Sequence, residues 1–562
     1  MKKKIFKLSL ILAGISLIHS CTKLKERVLD ESSVTGLTEQ QIAEGNIAPV
    51  YALLPTLFQH TNLFALQEIS TDEAILPYRG GTDWGDNGIY MSLHRHETLS
   101  SDPNVNNTWN QIVQSISRSV TAISALATNN YVNAKVFLAE ARGMRAYYNM
   151  LALDLFGIAF QKEDPTATST ILRGDDAINY IKSELLAIEP LLDNTTGPGR
   201  ITKAAVWGLL ARLHLNAAVW RDRYAATFSF KAEDMDKVIE YTDKIIALNQ
   251  FQLASEYFSI FDNNNHNNKE LIFAIDQRSD LNGHNRMAYF SLSGDQFPLP
   301  SVPAANGTDG PAITPDFYQS WATTYAPVDP ATADPRFFKK NLNIPVDSCI
   351  LGTDFKIDRG IMRGQQYGLI GGRNIPFTTC GTGKYKIGKL YNVTRGKPNL
   401  PVNFTEAIDF TVAGSDYSTG YRVEKYEFSS VTTDGRNRGE HDIVILRLAD
   451  IYLMRAEAKL RKSNDAAGAL ADVNLVRAAR TARGTPPAPL LTMSLDLLFR
   501  ERGFELYWEH QRRTDMIRFG KYEGTWTEKS NTDKNKRLFP IPQNAINGAS
   551  NIPGYLVQNP GY

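Results

Sequence analysis

Residues 445–460 read ILRLADIYLMRAEAKL, and the spacing inside this run carries the argument for the whole chain. Its apolar residues return every three or four positions, the period of one helical face. Ala456 and Ala458 interleave with larger neighbours, a composition that lets paired helices nest closely. Amphipathic stretches run at 443–462, 465–480, 493–511 and 513–520. The same texture fills the amino-terminal half. NNTWNQIVQSISRSVTAISALA (106–127) places Trp109, Ile112, Val113, Ile116, Val120 and Ile123 on one stripe, and 134–156 does the same with Phe137, Met144, Tyr148, Leu151 and Leu155. Further stretches fall at 174–192, 201–220 and 235–249, separated by turn signals such as Asn129-Asn130 and Asn194 to Gly199. Helix pairs of this size predict tetratricopeptide-like units, with irregular spacing and without the literal repeat signature.

Between about 261 and 440 the helical period is lost. Gly and Pro punctuate every few residues, and strand-like snippets such as 271–275 and 421–428 are short. The expectation is a mainly α fold in one domain spanning 21–562. Helical pairs occupy about 38–260 and 441–522, an irregular loop-rich lobe is inserted over about 261–440, and a tail follows at 523–562.

Composition narrows the function. With 43% hydrophobic and 22% charged residues in 562, the chain is neither disordered nor a multi-spanning membrane protein. Lys plus Arg (61) nearly cancels Asp plus Glu (60), and no basic run follows the first few residues, so a nucleic-acid partner has no electrostatic footprint. At the amino terminus Lys2, Lys3, Lys4 and Lys7 precede the apolar stretch Leu8 to Ile18, the form of an export signal. Ile18-His19-Ser20-Cys21 resembles a bacterial lipobox, so 1–20 is predicted to be a lipoprotein signal peptide and Cys21 the lipidated residue. Acyl burial at ~0.8 kcal/mol per CH₂ would make that anchor effectively permanent. Cys349 and Cys380 then either pair, closing a loop of about thirty residues, or remain two buried thiols.

Several blocks together resemble the SusD/RagB family. They are AEARGMRAYYNMLALDLFG (139–157), ITKAAVWGLLARLHLNAA (201–218), the 445–460 run, AAGALADVNLVRAAR (466–480), LFRERGFELYWEHQRRTDMIRFGKY (498–522) and LFPIPQNAINGASNIPGYLVQNPGY (538–562). The resemblance implies a SusD-like fold with four tetratricopeptide-like pairs. It also implies an outer-membrane lipoprotein of a Bacteroidetes-type bacterium, facing the cell surface, that binds a glycan and serves a SusC-like TonB-dependent transporter. The glycan site is implied on the loop-rich side and the transporter contact on the helical pairs. A peptide or glycopeptide ligand, as in the RagB branch, is the alternative, and an exported glycosidase is a further one.

Three clusters were weighed as chemistry. Glu501, Glu505 and Glu509 stand four apart on an expected helical face, with Arg502 and Arg513 at pairing distance in sequence, and read as structural ion pairs, not as an acid/base pair. His94-Arg95-His96-Glu97 lacks a third ligand at metal spacing. Gly80-Gly81 and Gly371-Gly372 lack the Lys and the strand-to-helix context of a phosphate loop. No catalytic residue, metal or cofactor is predicted. The predicted glycan contacts lie in QEISTDEAILPYRGGTDWGDNGIYMSLHRHE (67–97), where Asp72, Arg79, Trp84, Asp86 and Asn87 combine a ring with planar polar groups suited to sugar faces and hydroxyls. Similar starch-binding members of the family place an Arg, a Trp and an Asn in the corresponding loop. Tyr289, Tyr318 and Trp321 are the expected second aromatic arm.

Overall fold

The structure is a computed structural model that describes residues 36–79, 89–277, 286–343, 348–411, 414–431 and 440–562. Thr38 and Gln41 form a capping box that starts helix α1 (Glu39–Tyr51). Asp102 accepts a hydrogen bond from the Val105 N–H, and Pro103 occupies the first helical position, where a missing N–H costs nothing; together they open α2 (Pro103–Leu126). This helix packs on α3 (Ala134–Phe156), and α1 lies across both. Helices α4 (Gly174–Ile188), α5 (Lys203–Arg221) and α6 (Ala232–Ala247) extend the stack by pairwise packing.

The chain then leaves the helices through strand β1 (Leu271–Ile275), enters the loop-rich lobe, and returns through β2 (Ile443–Arg447). The two strands pair antiparallel, with Ile443 opposite Ile275 and Arg447 opposite Leu271, so the lobe is tied off at its base by one ladder. Helices α7 (Leu448–Ser463), α8 (Ala466–Ala479), α9 (Leu495–Leu506) and α10 (Arg512–Arg518) complete the frame. Asn464, in the left-handed region at φ 53°, ends α7, and the Asp465 carboxylate caps α8 through the Gly468 N–H. The tail doubles back onto the first pair: the Phe539 N–H donates to Leu155 O at 2.9 Å, and Asn559 Nδ2 donates to Phe156 O at 3.1 Å.

The structure departs from the sequence-based expectations at four points. Residues 443–447 are a strand, not the first turn of a helix, and all five are buried. Helix α9 stops at Leu506, and Trp508 and His510 follow in the left-handed region, so Glu509 does not share a helical face with Glu501 and Glu505. Arg502 and Glu505 do not pair either. Arg502 binds Asp515 and Asp450, and Glu505 receives Arg336, Arg447 and Arg480. Glu509 binds Arg447 and Lys425 in place of Arg513, which reaches Asp154.

Within the lobe, Cys349 and Cys380 form a disulfide. It joins the strands Cys349–Leu351 and Thr379–Gly381, both of which pair with the central strand Lys384–Lys389. The staple thus holds the two outer strands on either side of a shared partner.

Candidate functional site

The lobe is where the frame leaves room for recognition, and it distributes the expected sugar contacts unevenly. Trp84, Asp86 and Asn87 lie outside the described residues. Trp321 has no exposed surface and lies flat on Phe504, ring centroids 3.7 Å apart, so it is an interior plug and not a platform. Tyr289 is 2% exposed and packs near Phe428. Tyr318 is half-buried against Tyr421 and accepts a hydrogen bond from Arg363. Asp72 is held by both Nε and Nη2 of Arg512 at 2.7 Å, leaving little of its carboxylate for a ligand. Arg79 is 1% exposed, and its guanidinium donates to the carbonyls of Asp309, Gly310, Asp416 and Thr419. Arg79 is therefore a bolt that fixes the chain to the lobe at the point where the 80–88 segment begins.

Beside that bolt the lobe carries a groove with a cavity of about 600 Å³. Its walls are Leu369 to Ile375, Thr378, Lys389 to Tyr391, Val393, Thr394 and Asp295. Gly371 and Gly372 make the turn in one wall at φ 106° and 114°, and a Cβ on Gly372 would lie 2.7 Å from the Phe297 ring, so the chain here needs glycine on both counts. The turn is closed by reciprocal hydrogen bonds between Gly372 and Ile375 at 2.6 and 3.0 Å. Tyr391 (41%), Ile375 (48%) and Val393 (40%) are exposed, which is unusual for side chains of this size and gives the groove apolar faces.

The polar end is Asp295. Its Oδ1 accepts from the Thr394 N–H at 2.9 Å, its Oδ2 has no hydrogen-bond partner among the described residues, and burial pushes its carboxyl up from the usual carboxylate range. Next to it Arg395 donates to Asp309 Oδ2 at 2.8 Å and lies 5.2 Å from the centre of the Tyr417 ring, with the Lys397 ammonium 5.4 Å from the same ring. Asp309 and Asp416 also supply carbonyls to Arg79, so Arg79 and the polar end of the groove are tied to the same residues. A ring, two aliphatic faces and a rim of carboxylate, amide, ammonium and guanidinium groups suit a sugar better than they suit a flat apolar ligand. Sequence reasoning missed Asp295 and Tyr391 because four separated segments build the groove; the glycine pair was the only local signal.

Residues 405–562 match the sequence model of the SusD family. The starch-binding protein SusD of Bacteroides thetaiotaomicron is 27% identical over 458 residues, which cover 75% of this chain and 72% of that protein. A SusD superfamily protein from Parabacteroides distasonis superposes with a TM-score of 0.66 at 17% identity, over 94% of this chain and 100% of that one. Surface glycan-binding protein A from Bacteroides thetaiotaomicron, solved with laminarihexaose, gives a TM-score of 0.62 at 17% identity, over 92% of this chain and 99% of that one. The chain is thus similar to the SusD family in its carboxy-terminal part and to a starch-binding SusD along three quarters of its length. Its fold is SusD-like, mainly helical with paired helices and small sheets.

The carboxylates of the described residues do not form, at the groove, the pair that sugar hydrolysis uses. Asp295 is the single carboxylate among the described residues lining the groove, whereas sugar hydrolysis uses two, ~5 to 9.5 Å apart. Glu501 and Glu505 are fully buried in ion pairs. Burial alone would raise the Glu505 carboxyl, but Arg480, Arg447 and Arg336 outweigh it and hold it well below the usual range. His94 faces carbonyls of Ile69, Ala74 and Thr527, and His96 faces Ser70 O, so neither is aimed at a shared ion. His266, Asp276 and Asp442, which sequence spacing did not flag, bring three potential ligand atoms within 4.8 Å of one another. An ion there would compete with the 2.6 Å contact between His266 Nδ1 and Asp442 Oδ2. No helix among the described residues is long and apolar enough to cross a membrane.

Proposed function

We propose that this protein captures oligosaccharides at the outer face of the outer membrane and hands them to a SusC-like TonB-dependent transporter. The observation that carries the reading is the groove, where exposed Tyr391, Ile375 and Val393 flank the buried carboxyl of Asp295. The names of its relatives support a glycan ligand: one is a starch-binding protein, and another was solved with laminarihexaose. Trp84, with Asp86 and Asn87, is proposed as a second contact on the strength of the sequence alone, a ring among planar polar groups suited to a sugar. Cys21 is the proposed lipid anchor, and the helical pairs the proposed transporter-facing side. Weak capture, in the µM to mM range or roughly −4 to −8 kcal/mol, suits a step that must also release.

Calorimetric titration with maltoheptaose and with laminarihexaose tests the reading. Binding by the wild type that falls at least tenfold in Tyr391→Ala, and again on adding Trp84→Ala, supports it. Unchanged affinity in the Tyr391→Ala variant defeats the groove as the site. Tight binding of peptides with no binding of either sugar would favour the peptide alternative.

A further inference from the structure

The strand Lys384–Lys389 ends at the groove, where Lys389 is a wall residue, and four residues back Tyr385 lines a different cavity of about 1000 Å³. Positions 385 and 389 point to the same side of the strand, about 13 Å apart at the ordinary rise per residue. Three polar groups of this second cleft have no partner among the described residues: both oxygens of Glu424, Nε of Arg359 and Oδ1 of Asn263. They come from three different segments, and Glu424 is 1% exposed. A buried carboxyl without a donor costs several kcal/mol unless something supplies one. Burial pushes the Glu424 carboxyl well above the usual carboxylate range and so favours its protonated form, which can donate as well as accept.

We infer that this cleft is a second oligosaccharide-binding site, in which the ring of Tyr385 takes a sugar face and Glu424, Arg359 and Asn263 take its hydroxyls. The inference rests on the glycan reading above for the class of its ligand and goes beyond it in number and selectivity. Neighbouring hydroxyls on one sugar offer donor and acceptor together, which matches a set made of a carboxyl, an N–H and an amide oxygen. The charge of the walls selects further. Arg359 is already bound to Asp262 and Lys356 lies near Glu427, while among the described residues Glu440 accepts from Ser429 and Ser430 and pairs with no cation, so uronic or sulfated sugars would meet uncompensated negative charge. The cleft is therefore fitted to neutral chains.

Native mass spectrometry with maltotriose and laminaritriose, too short to span both cavities, counts the sites. The expected result is two sugars per wild-type chain at saturation, one in Tyr391→Ala, one in Tyr385→Ala, and none in the double variant. Tyr385→Phe, which keeps the ring, should restore the second site, and Glu424→Gln should weaken it at least tenfold without touching the first. A galacturonate trimer should occupy the cleft at least tenfold less. One sugar per wild-type chain, lost in Tyr391→Ala and unaffected by Tyr385→Ala and Glu424→Gln, overturns this inference and leaves the groove standing. No binding in any form overturns both.

Discussion

Trp321 shows how a residue can be read correctly for its chemistry and wrongly for its surroundings. It sits on a helix, Pro315–Tyr325, whose buried residues are Phe317 and Trp321, four apart, so its own element already turns it inward. What the local sequence cannot display is Phe504, which covers its face from a helix almost two hundred residues later. Trp321→Ala should cost about 3 to 5 kcal/mol in urea denaturation, the range for emptying a large buried ring site, while the folded fraction keeps wild-type affinity for sugar. A loss of affinity with unchanged stability would return Trp321 to the binding surface. Arg79 is the same case in polar form. Its carbonyl partners lie 230 to 340 residues away, and nothing near it in sequence announces them.

Elements were more legible than residues where the period was long. The helices α2 to α6 follow the stripes of Trp109, Ile112, Tyr148 and their kin to within a few residues, because each helix needs only one apolar face. Strand β2 was misread for a physical reason. Ile443, Val444, Ile445 and Leu446 are buried on both faces, so they carry no alternation, and only their β-branching argued for a strand. Most of the lobe's strands are shorter still, and their pairing has no local signal in the sequence, which for the same reason does not decide whether Cys349 and Cys380 bond. With a sequence separation of 31, the chain-entropy treatment gives the disulfide about 3.7 kcal/mol. Replacing both by Ala should speed amide hydrogen exchange across 349–389 by two orders of magnitude or more while exchange in α2 and α3 stays as it was. Equal acceleration in the helices would mean that the lobe and the frame unfold together.

For the whole molecule, the buried carboxyls fall into two groups with opposite responses to acid. Burial alone would raise the Glu457 carboxyl, but Arg518 and Arg461 bring it down to about 2. Burial pushes Asp102 up to about 6, against the hydrogen bonds from Val105 and Asn104. The signs follow from which state holds the proton. Between pH 4.5 and 2 the unfolded chain protonates Glu457 and the native state does not, so its contribution, roughly 3 kcal/mol, is present above pH 4.5 and lost as the pH falls to 2. Asp102 acts the other way: between pH 3.8 and 6 the native state holds the proton, so stability declines as the pH rises through that range. Because the two groups oppose each other, the wild-type profile alone is uninformative. Glu457→Gln isolates one: its stability deficit against wild type should be large at pH 6 and shrink steadily between pH 4.5 and 2. A deficit constant across that range would show that the Glu457 ion pairs do not set its protonation.

The meeting of Arg336, Arg447 and Arg480 on Glu505 has a consequence for how α9 finds its seat. Sliding that helix by a single residue would swing the carboxylate through about 100° and strip one partner from each of three guanidinium groups in a dry interior, leaving them to Asp334, Glu270 and Glu509. Greasy neighbours such as Phe504 and Leu506 could tolerate the misalignment; the charges could not. The four side chains work like the notches of a key, rejecting every near-miss arrangement of the carboxy-terminal helices and leaving one alignment habitable.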